Sequence, residues 1–142
     1  MADTNETVVR RFIEDAFNGR DLDLLDAIVA ERFTNYDPPF PGLPAGRSGL
    51  KQALAGFWSA FPDMRATTVH LVADEDKVAT VVALKGTHRG ELMGLPPTGR
   101  EVNVRVIEIF RLAGGQLTER WGVVDKTALM TQLGAVPAAA EA

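Results

Sequence analysis

Residues 101–124 read EVNVRVIEIFRLAGGQLTERWGVV, two β-forming runs separated by Gly114-Gly115. A diglycine between such runs is the sequence mark of a two-residue hairpin, because both turn positions need a backbone that only glycine adopts freely. That turn predicts Glu108 opposite Trp121, Val106 opposite Val123 and Val104 opposite Asp125. Glu108, Trp121 and Asp125 would then share one face, with Val104, Val106 and Phe110 around them. Upstream, residues 65–73 and 77–89 also carry a strand pattern, joined by a turn at Asp74-Glu75-Asp76. Downstream, residues 126–133 predict a final helix closed by Gly134.

The first half of the chain is helical in period. Asp3 and Glu6 have capping-box spacing, and Val9, Phe12, Ile13, Ala16 and Phe17 recur at helical intervals before Asn18-Gly19. Asp21 can cap a short second helix with Leu25, Ile28 and Val29, and residues 32–37 lead into a proline-rich loop over 38–46. Ser48 can start a third helix with Leu50, Leu54, Phe57, Trp58 and Phe61 on one face, ended by Pro62. Helices first and hairpin-linked strands later is an α+β pattern, with helices on one face of an antiparallel sheet. One domain over residues 1–134 is expected, with 135–142 a frayed tail. In residues 78–84, Val78, Val82 and Leu84 point one way and Ala79, Val81 and Ala83 the other, so both faces need cover. Helices can cover one and a second subunit the other, which predicts a homodimer or homotetramer.

Composition narrows the function. The 142 residues carry a net charge of -4 with no Lys/Arg cluster, which argues against a nucleic-acid partner. There are no cysteines and two histidines, His70 and His88, so thiolate chemistry is out and no metal is expected. No apolar run approaches the ~20 residues of a membrane span, and the acidic start does not read as a signal peptide; a cytoplasmic location is expected. There is no phosphate-binding glycine loop and no nucleophile elbow, so no cofactor is expected, and any reaction must run on proton transfer and polarisation by side chains.

Glu108 has the strongest chemical claim. Its neighbours exclude water, and a buried unpaired carboxylate holds its proton more tightly, which suits a general acid or base near neutrality. A Glu paired with Arg120 or a helix residue, or one at a dimer interface, fits the same string. Asp125, between the last strand and the last helix, reads equally as an N-cap for Thr127 or Ala128. His88 lies at the end of the strand 77–89 and leads into a turn-rich loop through Gly99, a combination that can build a pocket mouth; it could hydrogen-bond a substrate carbonyl or satisfy loop carbonyls. Tyr36, beside Asn35, can donate from an apolar wall, and Phe40, Trp58, Phe61 and Trp121 could complete an aromatic lining, although core packing fits each of them singly.

Several stretches together resemble the SnoaL-like polyketide cyclase (ester cyclase) family: Val8-Val9-Arg10-Arg11-Phe12 with Ala16-Phe17-Asn18-Gly19, the loop 38–46, Ala60-Phe61-Pro62-Asp63, Gly86-Thr87-His88-Arg89-Gly90 through Gly94-Leu95-Pro96-Pro97-Thr98-Gly99, and Asp125 with Leu129 and Gln132-Leu133-Gly134. The resemblance spans nearly the whole chain. It implies the nuclear transport factor 2-like α+β fold, with a conical cavity between helices and a curved sheet. Well-known members close a polyketide ring by a cofactor-free aldol reaction with an aspartate and a histidine; other relatives take part in polyketide hydroxylation. Matched through the C-terminal motif, that aspartate falls at Gly122 and the histidine at Glu108, while Tyr36 stands where many relatives have histidine.

The expected function is a cofactor-independent enzyme on an apolar, polyketide-like carbonyl compound, working by enolisation followed by cyclisation or isomerisation. Glu108 would be the acid/base, His88 and Tyr36 would polarise the carbonyl, and Asp125 would orient or share the proton. Asn35, Phe40, Trp58, Phe61, Tyr36 and Trp121 would contact the hydrophobic small-molecule substrate. The alternatives are a hydroxylase component, and a non-catalytic ligand-binding or dimerisation module.

Overall fold

Four of the chain's β-forming runs zip into an antiparallel meander: β2 (Arg65–Asp74), β3 (Lys77–Thr87), β4 (Glu101–Ala113) and β5 (Gln116–Val124). The computed structural model describes residues 4–135. A fifth strand, β1 (Val29–Asn35), lies parallel to β5, giving the order β1-β5-β4-β3-β2 in a curved, unclosed sheet. The sequence reading had this segment only as the approach to a loop and the sheet as wholly antiparallel. The strand is short, with charged Glu31 and Arg32 at its centre, and it pairs with β5 only around Val29 and at Thr34 and Asn35.

Before the strands come α1 (Asn5–Arg11), a π-helical segment over Phe12–Phe17, α2 (Leu25–Ile28) and α3 (Gly46–Ala60); α4 (Lys126–Gln132) follows them. Thr4 caps α1 by accepting from the Thr7 amide; the expected cap, Asp3, and residues 136–142 of the expected tail lie outside the described residues. Asn18 ties the end of the π segment to the sheet as a strand would: its side chain accepts from the Ala66 amide and donates to the Ala66 carbonyl, both at 2.8 Å. Among the described residues no helix is long and apolar enough to cross a membrane.

Alternation in β3 and β4 makes two unlike faces. Val78, Val82 and Leu84 pair with Phe110, Val106 and Val104, and all six are buried beneath the helices; burying one such side chain contributes about 1.5–3 kcal/mol. Phe12 meets Phe110 edge-on at 5.6 Å, which locks the π segment onto this inner face. Toward the outside, Ile107, Ile109, Val123 and Val72 remain exposed.

The predicted hairpin register holds only next to the turn. Gly114 and Gly115 take the left-handed values such a turn needs (φ 60 and 78), and Ala113–Gln116 and Leu112–Leu117 pair as expected. The register then shifts by one: Arg111 pairs with Glu119, leaving Thr118 as an extra residue whose hydroxyl donates to the Arg111 carbonyl. Beyond this bulge Glu108 faces Gly122, Ile109 faces Trp121 and Val106 faces Val124. A one-residue slip exchanges faces, so Trp121 goes outside while Arg120 and Gly122 come inside with Glu108.

Candidate active site

A cavity of about 490 Å³ opens between the inner face of the sheet and the helices. Its walls are apolar: Phe12, Ile13 and Phe17 from the π segment, Leu50, Ala53, Leu54 and Phe57 from α3, and Ala66, Val82, Leu84 and Val106 from the sheet. These positions face inward because α3 carries its apolar residues at helical spacing and the strands carry theirs at every second position. The volume suits a small organic molecule rather than a macromolecular segment. Exposed Asp37, Pro38, Val123 and Lys126 stand at the rim.

Glu108, Arg120 and Asn35 form a polar cluster in this wall. Arg120 Nε and Nη2 both reach Glu108 Oε1, at 2.9 and 2.8 Å, and its Nη1 donates to Asn35 Oδ1 and to the Asp37 carbonyl, each at 3.0 Å. Asn35 Oδ1 also accepts from the Asp37 amide. Two donors on one oxygen fix the orientation of the amide, so Asn35 Nδ2 is the end left for other partners. The Glu108 and Arg120 side chains are only 14% and 13% exposed, and the ion pair compensates two charges that would be costly here alone. Glu108 is therefore not the unpaired carboxylate of one sequence reading; the alternative, pairing with Arg120, is what the structure shows. Asp37 Oδ2 accepts from the Gly122 amide at 2.9 Å, drawing the start of the proline-rich loop against β5.

The other residues singled out in the sequence sit elsewhere. His88 is fully buried, with Nδ1 accepting from the Thr98 amide and beside the Thr98 hydroxyl, both at 3.1 Å, and its ring 5.4 Å from that of Phe61. Its backbone pairs with Gly99 and Arg100, while Arg89 and Gly90 donate to the Ala60 carbonyl at the end of α3. The loop after β3 is thus folded onto the end of that helix and contributes nothing to the cavity lining; it is no pocket mouth, and the imidazole cannot meet a guest there. Asp125 is the N-cap of α4, accepting from Ala128 at 3.0 Å, and is exposed. Tyr36 and Trp121 stack at 5.0 Å on the outer face. The Tyr36 hydroxyl donates to Glu119 at 2.7 Å, and this bond to a carboxylate raises its pKa above the ordinary phenol value. Phe40 packs on Phe57 at 5.0 Å, and Trp58 packs against Phe17 and the Arg20 guanidinium. The expected aromatic lining is therefore supplied by Phe12, Phe17 and Phe57, which the sequence reading had assigned to helix cores. Arg120 escaped selection as a site residue because an arginine in an edge-proximal strand looks like solvated surface until the bulge is known.

The model of the SnoaL-like polyketide cyclase family matches residues 7–133. Among solved structures, TsrD from Streptomyces laurentii aligns with a TM-score of 0.83 at 27% identity, covering 94% of this chain and 100% of that one. IdmH from Streptomyces antibioticus, described as a candidate polyketide cyclase, gives 0.80 at 31% identity over 93% and 99% of the two chains. AclR from Streptomyces galilaeus, a candidate hydroxylase, gives 0.80 at 25% identity over 94% and 86%. With the family match running through both the helices and the sheet that enclose the Glu108 cavity, this chain belongs to the SnoaL-like polyketide cyclase family.

Proposed function

We propose that this chain is an acid/base enzyme on an apolar, polyketide-like carbonyl compound, using its own side chains for enolisation and then cyclisation or isomerisation. The observation that carries the reading is Glu108, placed in the wall of an apolar cavity with one carboxylate oxygen held by Arg120 and the other without a partner among the described residues. In the first step Glu108 takes a proton from the carbon next to the carbonyl, and the C–H electron pair moves into an enolate. Asn35 Nδ2 donates to the enolate oxygen as charge develops there, where a fixed donor in a water-poor site is worth most. The enolate carbon then attacks a second carbonyl of the same molecule, forming the ring bond, or is reprotonated at a different carbon; either way the proton on Glu108 is returned. His88, Asp125, Tyr36 and Trp121 have no part in this version of the site.

The test is α-proton exchange of 2-tetralone, a neutral bicyclic ketone, in D2O followed by NMR. The wild-type protein is expected to accelerate exchange above buffer, and Glu108→Gln to lose about 100-fold, the usual scale of a general base. No acceleration by the wild type, or an unchanged rate in the variant, overturns the reading. The likeness to AclR supports a second reading, a hydroxylase component; consumption of oxygen in the presence of a reductant, with no exchange, distinguishes it.

The outer face supports self-association. Val72, Ala79, Ile109 and Trp121 follow one another across four strands, and Ile107 and Val123 extend the stripe. Val123 is 71% and Ile107 58% exposed. At its edge Arg111 is paired, its Nε lying 2.6 Å from Glu119. A patch of this kind is its own complement about a twofold axis, so the proposed cover is a second copy of the chain. Light scattering on Ile107→Asp is expected to show a monomer where the wild type is a dimer or tetramer; a monomeric wild type overturns it.

A further inference from the structure

We propose that Gly122 and Arg120 act together as positioning residues that set Glu108 with Oε1 spent and Oε2 offered to the guest, so that the cavity selects neutral molecules carrying a hydrogen-bond donor or an acidic C–H at that point. The inference deepens the proposed function and rests on Glu108 being the group that meets the guest.

Gly122 is the residue directly opposite Glu108 on the neighbouring strand. A Cβ there would lie on Arg120 Nη2 and 2.6 Å from its Cζ. The guanidinium therefore occupies the space that any side chain at 122 would claim. This is a reason for glycine that has nothing to do with its torsion angles, since Gly122 does not adopt a left-handed φ. From that seat the guanidinium is nearly saturated. Nε and Nη2 go to Glu108 Oε1, and both Nη1 hydrogens go to Asn35 Oδ1 and the Asp37 carbonyl. One Nη2 hydrogen is all that remains, so Arg120 is not an open receptor for a carboxylate or phosphate. Its effect is felt through Glu108. Both contacts converge on a single carboxylate oxygen, which fixes the plane of the group and leaves Oε2 beside the cavity with no partner among the described residues. A guest with a hydroxyl or an acidic C–H finds an acceptor aimed at it, whereas an anionic guest group would meet a carboxylate.

The test uses a matched pair of probes, 2-naphthol and its methyl ether 2-methoxynaphthalene, titrated by NMR. They differ in one donor. The wild type is expected to bind 2-naphthol about tenfold or more tightly, the scale of one hydrogen bond to a charged acceptor. Gly122→Ala pushes the flexible end of Arg120 away, and Arg120→Gln removes it; each is expected to reduce the preference, read as the ratio of the two affinities within the same variant, to about threefold or less. Arg120→Lys, which restores the charge without the planar fork, is expected to recover only part of the preference. Thermal unfolding of each variant establishes that it is folded, and the Arg120 Nε–H resonance is expected to be seen in the wild type and lost in both Gly122→Ala and Glu108→Gln. A wild type that binds the two probes equally, or folded Gly122→Ala and Arg120→Gln variants that keep the full preference, overturns the inference. Failure of the exchange reaction with 2-tetralone while the naphthol preference and its loss persist would sink the proposed enzyme and leave this positioning intact.

Discussion

Glu108 and His88 are both polar, both withdrawn from solvent and both carried by the central strands or their ends, yet their surroundings make them opposites. Glu108 gives one oxygen to Arg120 and keeps the other beside a cavity. His88 gives its one acceptor nitrogen to the Thr98 amide, has Phe61 against its ring and leaves Nε2 with no partner among the described residues. Burial of a titratable group is shared by both, so burial does not distinguish a site from a clamp. Access does.

Substitutions should separate the two residues in opposite directions. The largest loss of stability is expected for His88→Ala, about 3 kcal/mol, because it empties a fully packed position and strands the Thr98 amide. Chemical denaturation would measure that, and the affinity for 2-naphthol should stay at the wild-type value; a large drop in affinity would erase the contrast. Arg120→Ala is expected to cost less, about 2 kcal/mol after allowing for partial solvent access, since it leaves the Glu108 charge unpaired. For that variant the naphthol preference should fall along with the melting temperature. Asp125→Ala should cost about 1 kcal/mol, the worth of a helix cap, and change neither binding nor exchange.

A smaller effect, visible only in acid, belongs to the His88 end of the molecule. Asp63 accepts from the Thr87 amide at 2.7 Å and from its hydroxyl at 2.8 Å, and these bonds hold its carboxyl below the ordinary carboxylate range. A depressed folded-state pKa means the stabilisation is complete above the unfolded value, about 3.9, and is lost as pH falls through the folded one. Asp63→Asn should therefore flatten the acid side of the stability profile, as followed by urea midpoints between neutral and acid pH. An unchanged profile would show that the end of β3 is held by other bonds.

Much of this architecture could be read from the residues. The alternation in β3 and β4, the diglycine turn, the apolar stripe of α3 and the Asp125 cap each rest on local patterns, and local patterns survive folding. The register of the last hairpin did not, because Thr118 adds one residue to a ladder and nothing in Leu117-Thr118-Glu119 announces it. That single residue decided which face received Trp121 and which received Arg120, so the site could be half read: Glu108 and Asn35 were visible and Arg120 was one of the partners that fitted Glu108, but its seat inside, joining both, was not legible. β1 escaped for a different reason. Its parallel pairing with β5 joins residues far apart in the chain, and no short-range turn signal marks such a contact.

The wide turn over Phe12–Phe17 has a consequence of its own. Asn18 donates to the carbonyl five residues back, at Ile13, rather than four, and Phe12, Ile13 and Phe17 from this turn form one wall of the hollow. A turn that holds a surplus residue can surrender it: removing one position would let the segment relax to the tighter spiral and swing that wall around its axis. Deleting one residue from this segment is therefore expected to move the Phe12–Phe17 side of the cavity while every other wall stays in place.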